Sequence, residues 1–301
     1  IRQITKAEWF VRGIQRVDEE KGEIYFSASG VNKNEDPYLV HYYKIGIDGK
    51  NMVALTPEEG NHSAQYTYDY RYLLDTYSKV DAAPVTVLRD AQTGKLVKTL
   101  ETADIATLKK HGWVAPEVFV AKGRDGKTDM WGIIQRPTNF DPHKKYPVIE
   151  YIYSGPGDAY TPKSFMPYNW YTTSLADLGF IVVQLDAMGT SYRGKKFEEV
   201  CYKNLKDAGF PDRELWIKAA AKKYPYMDAD NVAIYGCSAG GQESTTAVLL
   251  HGDFYKAAYS ACGCHDNRMD KIWWNEQWMS WPIDSSYVEC SSVENAHKLE
   301  R

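Results

Sequence analysis

One serine is set apart by its neighbours. Gly236-Cys237-Ser238-Ala239-Gly240-Gly241 fits G-x-S-x-G, a pattern that serves nucleophilic attack by a serine hydroxyl on an acyl carbon. The pattern works only where a strand runs into a sharp turn and a helix leaves it. That turn exposes the hydroxyl in strained geometry, and the flanking glycines admit close backbone approach. Asn231-Val-Ala-Ile-Tyr235 reads as the strand and Gln242 to Leu250 as the helix. Ser238 is therefore the expected nucleophile, and the backbone N–H of Ala239 an expected donor to the oxyanion.

The elements that must hold this turn follow from the pattern around it. Val118 to Ile134 reads as a hairpin about Asp125-Gly126, ended by Pro137. Tyr146 to Tyr153 reads as a strand closed by Ser154-Gly155-Pro156-Gly157. A helical stretch near Asn169 to Leu178 leads to the apolar strand Phe180 to Leu185, and a longer helix, Phe210 to Lys223, has apolar spacing at Trp216, Ala219 and Ala220. Tyr255 to Cys262 reads as a further strand, followed by a Trp-rich loop region. Strands alternating with helices predict an α/β doubly wound sheet, with ligands at the strands' C-terminal ends.

The first hundred residues read differently. Glu23 to Ser29, Tyr38 to Ile45 and Met52 to Thr56 are short alternating runs, and Tyr72 to Ser78, Val85 to Leu88 and Leu96 to Leu100 repeat them. The turn Asp48-Gly49-Lys50 recurs as Thr93-Gly94-Lys95. A repeat of about 40–50 residues holding several short strands is the period of a β-propeller blade. Two blades cannot close a ring of four to eight, so the others are expected before Ile1; a small independent β-sandwich is the alternative. The expected division is a propeller part over residues 1–103 and a catalytic part over 104–301.

Lys145-Tyr146-Pro147, Tyr153-Ser154-Gly155-Pro156, Asp186-Ala187-Met188-Gly189-Thr190-Ser191 and the Gly236–Gly241 turn occur in that order. With them the chain resembles the prolyl oligopeptidase family of serine peptidases, closest to its dipeptidyl peptidase IV-like branch and particularly the bacterial members. The two blades resemble the end of that family's propeller. The resemblance implies an α/β-hydrolase fold and hydrolysis of short peptides through an acyl-enzyme on Ser238, with cleavage after proline as one specificity. It also implies that the Tyr153 phenol donates to the oxyanion. Trp274 and Trp278 stand where the family's substrate-enclosing tyrosines are usual; packing of the same rings against the sheet is the alternative. Asn267 to Asp270 replaces an aromatic run there. Relatives are often periplasmic or secreted and many form homodimers.

The fold places its acid and base after the nucleophile, in the order Ser, Asp or Glu, His. His251, His265, Asp266 and His297 are the candidates this chain carries, and adjacent His265 and Asp266 project differently. The acid and base are therefore expected outside the chain, which alone is expected to be inactive. The family's site for a peptide's free amino terminus is also expected outside it, in the propeller. An esterase on the same elbow and a degenerate binding module are the rival readings.

Other features carry less. Gly123-Arg-Asp-Gly126-Lys127-Thr128 looks like a phosphate loop, but residue 121 is Ala121 and strands flank it. Cys262, Cys264 and His265 lack a fourth ligand for structural zinc, so no metal and no cofactor is expected. The net charge of -4 offers no pull toward nucleic acid. No apolar run approaches the 18 residues of a membrane span. Five cysteines are too few for a disulfide framework. Ile1-Arg2-Gln3-Ile4-Thr5 has neither an initiator Met nor a signal-peptide core, which suggests a cut from a longer parent.

Overall fold

The computed structural model describes residues 2–269 and 271–300. Ile1, Asp270 and Arg301 lie outside the described residues, and with them the readings that touch the chain's ends and the last residue of the Asn267–Asp270 run. The chain divides into two compact units: residues 1–111 with 162–167 and 192–194, and the remainder.

The first unit holds two four-stranded antiparallel sheets. One is β1 (Phe10–Asp18), β2 (Glu23–Ser29), β3 (Val40–Gly46) and β4 (Val53–Ala54); the other is β5 (Asn61–Tyr66), β6 (Tyr72–Lys79), β7 (Ala82–Asp90) and β8 (Leu96–Thr102). A short helix, α1 (Ala106–Lys110), follows. Each sheet is a propeller-like blade in strand order, and each contains one strand more than the pattern predicts. β1 escapes the pattern because two irregularities interrupt its pairing with β2 and most of its residues are not fully buried. β5 escapes because Asn61-His-Ser-Ala-Gln-Tyr66 lacks apolar alternation. Gly94 shows why the turn glycines recur: its φ is 71°, and a Cβ there would stand 2.6 Å from the Ala54 carbonyl oxygen.

The second unit is a six-stranded sheet in the order β14-β13-β11-β12-β10-β9. β9 (Glu117–Lys122) and β10 (Asp129–Gln135) form the expected hairpin, with the Asp125 carboxylate accepting from the N–H groups of Lys127 and Thr128. β11 (Tyr146–Tyr151) lies parallel between β12 (Ile181–Asp186) and β13 (Met227–Cys237), and β14 (Tyr255–Ala261) runs parallel beside β13. β12 is buried along its whole length, as a parallel strand covered on both faces must be.

The helices are α2 (Thr173–Asp177), α3 (Lys195–Glu198), α4 (Phe210–Lys223), α5 (Ala239–Leu250), α6 (Ile272–Met279) and α7 (Ser285–Glu289). α4 buries Phe210, Arg213, Trp216, Ile217 and Ala220, one stripe at helical spacing. Trp216 is fully buried, and its indole N–H donates to the Phe119 carbonyl at 3.3 Å. α6 corrects the expectation of a Trp-rich loop. It has no side-chain cap at its start and buries Asn275 and Met279, one turn apart, so tertiary packing rather than local signal makes it helical. None of the described helices is long and apolar enough to cross a membrane.

β14 ends the sheet with Lys256 to Ser260 exposed, and Tyr259 retains 68% of its surface. An exposed, unpaired edge is a template for pairing with another chain. Sedimentation velocity is therefore expected to show the 301-residue chain self-associating, and Tyr259→Lys to shift it toward monomer. A monodisperse monomer of the unsubstituted chain would contradict this.

Candidate active site

Ser238 sits between β13 and α5 with φ 59° and ψ −119°, a backbone region costly for any residue with a side chain. Its N–H donates to the Ala261 carbonyl at 2.9 Å, and its own carbonyl accepts from Gly241 and Gln242. The turn is pinned on both sides, and the Ser238 side chain is exposed.

The three glycines of the motif are steric necessities. A Cβ on Gly236 or Gly240 would collide with the Ile152 carbonyl oxygen, and one on Gly241 with the Ala261 carbonyl oxygen. Because these obstacles are backbone of β11's end and of β14, no rotamer change relieves them. The helix beginning at Ala239 thereby presses onto the two strands that flank β13, and its first N–H groups lie beside the serine.

Tyr153 lies two residues beyond β11, next to β13 in the sheet. Its ring packs on Tyr160 with centroids 4.7 Å apart. Tyr160 is itself held from below: the Asp186 carboxylate at the end of β12 accepts from the N–H of Tyr160 at 2.7 Å and of Thr161 at 3.0 Å, and Gln184 donates to the Tyr160 carbonyl at 2.9 Å. Tyr153, Ser154, Ser238, Ala239, Trp274 and Trp278 line a single cavity of about 390 Å³. All five residues singled out from the sequence are thus brought together. The indole N–H of Trp278 is buried without an acceptor.

Three of the four candidates for the acid and base are engaged with other partners. The Asp266 carboxylate is engaged by Arg268 and by the Ser291 hydroxyl at 3.2 Å, and Arg268 holds its carboxyl below the usual range. His251 pairs with Glu214 at 2.9 Å, and His297 contacts the Glu294 carbonyl at 3.0 Å. Among the described residues no carboxylate or imidazole holds the Ser238 hydroxyl, and no three His, Cys, Asp or Glu side chains converge to hold a metal.

Two features of the site have no counterpart in the sequence reading. A buried amide relay runs from Gln242 to Asn267 (2.9 Å) and on to Asn275 (2.8 Å), tying α5 to the helix that carries the tryptophans. Glu243, one position further along α5, is buried and accepts from the Ser154 N–H at 3.0 Å. Desolvation pushes its carboxyl up to about 8, against the opposing pull of Arg213 and of the Ser154 hydrogen bond. A glutamate directly after G-x-S-x-G-G-Q, the only charged residue on the helix Ala239–Leu250, was the available signal.

With this geometry in hand, residues 166–301 match the prolyl oligopeptidase family and residues 1–84 the dipeptidyl peptidase IV (DPP IV) N-terminal region. Dipeptidyl peptidase 4 of Trichophyton rubrum is 28% identical over 92% of the chain and 36% of its own length. Human dipeptidyl peptidase 8 is 26% identical over 85% of the chain and 29% of its own length. The crystal structure of Porphyromonas gingivalis dipeptidyl peptidase 4 superposes with a TM-score of 0.84 at 25% identity, covering all of this chain and 42% of that one. The chain spans about a third of the length of these curated relatives. The fold is that of an α/β-hydrolase sheet preceded by propeller blades.

Gly240→Ala is expected to destabilise the chain by about 1–3 kcal/mol or more, as overpacking against backbone does, read as a lowered urea midpoint; an unchanged midpoint would refute the steric account. For Glu243, the folded carboxyl titrates above its unfolded value, so the protonated form favours folding. Its stabilisation is complete below the unfolded value near 4.5 and is lost as pH rises toward about 8. Urea unfolding is expected to show the parent losing on the order of 1 kcal/mol per pH unit relative to Glu243→Gln across that window. Parallel pH curves would contradict it.

Proposed function

Both parts of the chain resemble the prolyl oligopeptidase family in its dipeptidyl peptidase IV-like branch, and on that premise we propose that Ser238 is the acylated nucleophile of a serine peptidase acting on short peptides. The observation that carries this reading is the strained, exposed Ser238 sharing one cavity with the Tyr153 phenol and the Ala239 N–H. The hydroxyl attacks the scissile carbonyl, and the carbonyl oxygen, as it gains charge, turns toward the phenol and the amide. Donors fixed in advance at that position cost no reorganisation when the charge develops.

Trp274 and Trp278 form the wall that takes the side chain before the scissile bond, and proline is the residue proposed for it. That both rings line the same cavity as Ser238 and Tyr153 favours a substrate-facing role over packing alone. Residues 1–103 are proposed as two blades of a propeller, and 104–301 as a portion of the catalytic domain. The triad acid and base are proposed to come from residues other than those described.

A fluorophosphonate probe reads an activated serine hydroxyl without a known substrate. The 301-residue chain is expected to stay unlabelled while still unfolding cooperatively. The longer protein containing it is expected to label at Ser238 and to release dipeptides from proline-containing peptides, and Ser238→Ala to abolish both. Peptide hydrolysis that survives Ser238→Ala in the longer protein would overturn the proposal, and labelling of the short chain would overturn the placement of the base.

A further inference from the structure

The residue before the nucleophile has a partner that neither the elbow nor the acyl chemistry uses. Cys237 ends β13, Cys262 follows β14, and their sulfurs stand 3.0 Å apart, both exposed. In the parallel ladder Cys237 pairs with Ala261, so Cys262 is offset by one position. Successive strand residues point to opposite faces, and in regular geometry the two thiols would diverge. They meet because Cys262 leaves the strand with φ 42°, a left-handed turn that brings its side chain back toward Cys237. The sulfurs already stand about 1 Å beyond the ~2.05 Å length of a disulfide bond, on adjacent strands whose spacing of about 4.8 Å falls in the range that disulfides span.

We propose that Cys237 and Cys262 form a dithiol site that exchanges with low-molecular-weight disulfides and closes to a Cys237–Cys262 bridge beside Ser238. The division of labour follows from the contacts. The contact between the two sulfurs, then the Ser238 backbone and the nearby Lys271 ammonium, hold the Cys262 thiol below its usual value, whereas the same sulfur contact pushes Cys237 up. The Cys262 thiolate is the attacking group. It displaces one thiolate from the incoming disulfide and forms a mixed disulfide. Cys237 then gives its proton to solvent and attacks the Cys262 sulfur, expelling the second thiolate. Two protein thiols are oxidised to one disulfide, and one small disulfide is reduced to two thiols.

The remaining cysteines provide internal controls. Cys201 and Cys290 are buried, with burial pushing Cys201 up to about 12 and Cys290 upward as well. Cys264 is directed at the Asp266 carbonyl, 3.4 Å away.

The test is titration of the folded 301-residue chain with oxidised glutathione, followed by non-reducing peptide mapping. The expected product is one peptide pair joined through Cys237 and Cys262, with the mass of two hydrogens lost and no glutathione retained. Cys237→Ser, checked for fold by circular dichroism, is expected to trap glutathione on Cys262, since the resolving thiol is gone. A persistent glutathione adduct on either cysteine of the unsubstituted chain, a bridge from Cys262 to Cys264 instead, or an unreactive Cys262 in both chains would each overturn the proposal. The mapping of the unsubstituted chain decides the matter even if the variant fails to fold.

Discussion

Everything around Ser238 depends on how closely the start of α5 lies against backbone. The Ile152 carbonyl excludes a Cβ at both Gly236 and Gly240, and the Ala261 carbonyl excludes one at Gly241. The helix can approach the sheet this far only because three positions have no side chain. That approach forces Ser238 into its positive φ and sets its N–H on the end of β14. It also brings Ala239 to the cavity that Tyr153, just beyond β11, lines as well. The proposed nucleophile and oxyanion donors are therefore placed together by this close packing against two backbone carbonyls rather than by separate local preferences.

Beneath that contact lies a polar layer that fixes the register of the elements. Arg213 on α4 pairs with Glu150 of β11 at 2.5 Å and donates to the Ala208 carbonyl at 2.8 Å, while the Tyr255 hydroxyl of β14 donates to the other Glu150 oxygen at 2.7 Å. All three side chains are buried, so removing Arg213 or Glu150 alone would strand an uncompensated charge, a loss of about 3–5 kcal/mol. The cluster joins α4, β11 and β14 in a single arrangement. Hydrophobic packing of Trp216, Ile217 and Val148 fills the volume but tolerates sliding far better than a buried ion pair does.

What was legible in the sequence was whatever short-range signals encode. The elbow, α4 with its apolar stripe, the hairpin about Asp125-Gly126 and the recurrence of Gly49 at Gly94 each follow from local spacing or turn chemistry, and the structure has them all. β1, β5 and α6 were not legible, because bulges, polar side chains and tertiary packing shape them. The site shows the same split. Ser238, Ala239, Tyr153 and the two tryptophans are carried by motifs, whereas the Gln242–Asn267–Asn275 relay and the Cys237–Cys262 approach join residues distant in the chain. Glu243 was in plain view in the sequence, yet only its burial against Ser154 gives it meaning.

Burying Glu243 also changes what the chain carries. The formal charge of -4 counts every glutamate as ionised; with this carboxyl titrating near 8, the folded chain near neutrality holds about one proton more than the formula assigns. Unfolding returns the side chain to water and releases that proton to the buffer. The heat absorbed on unfolding therefore includes the buffer's own enthalpy of protonation, so calorimetry in phosphate and in Tris would report different enthalpies for the same transition.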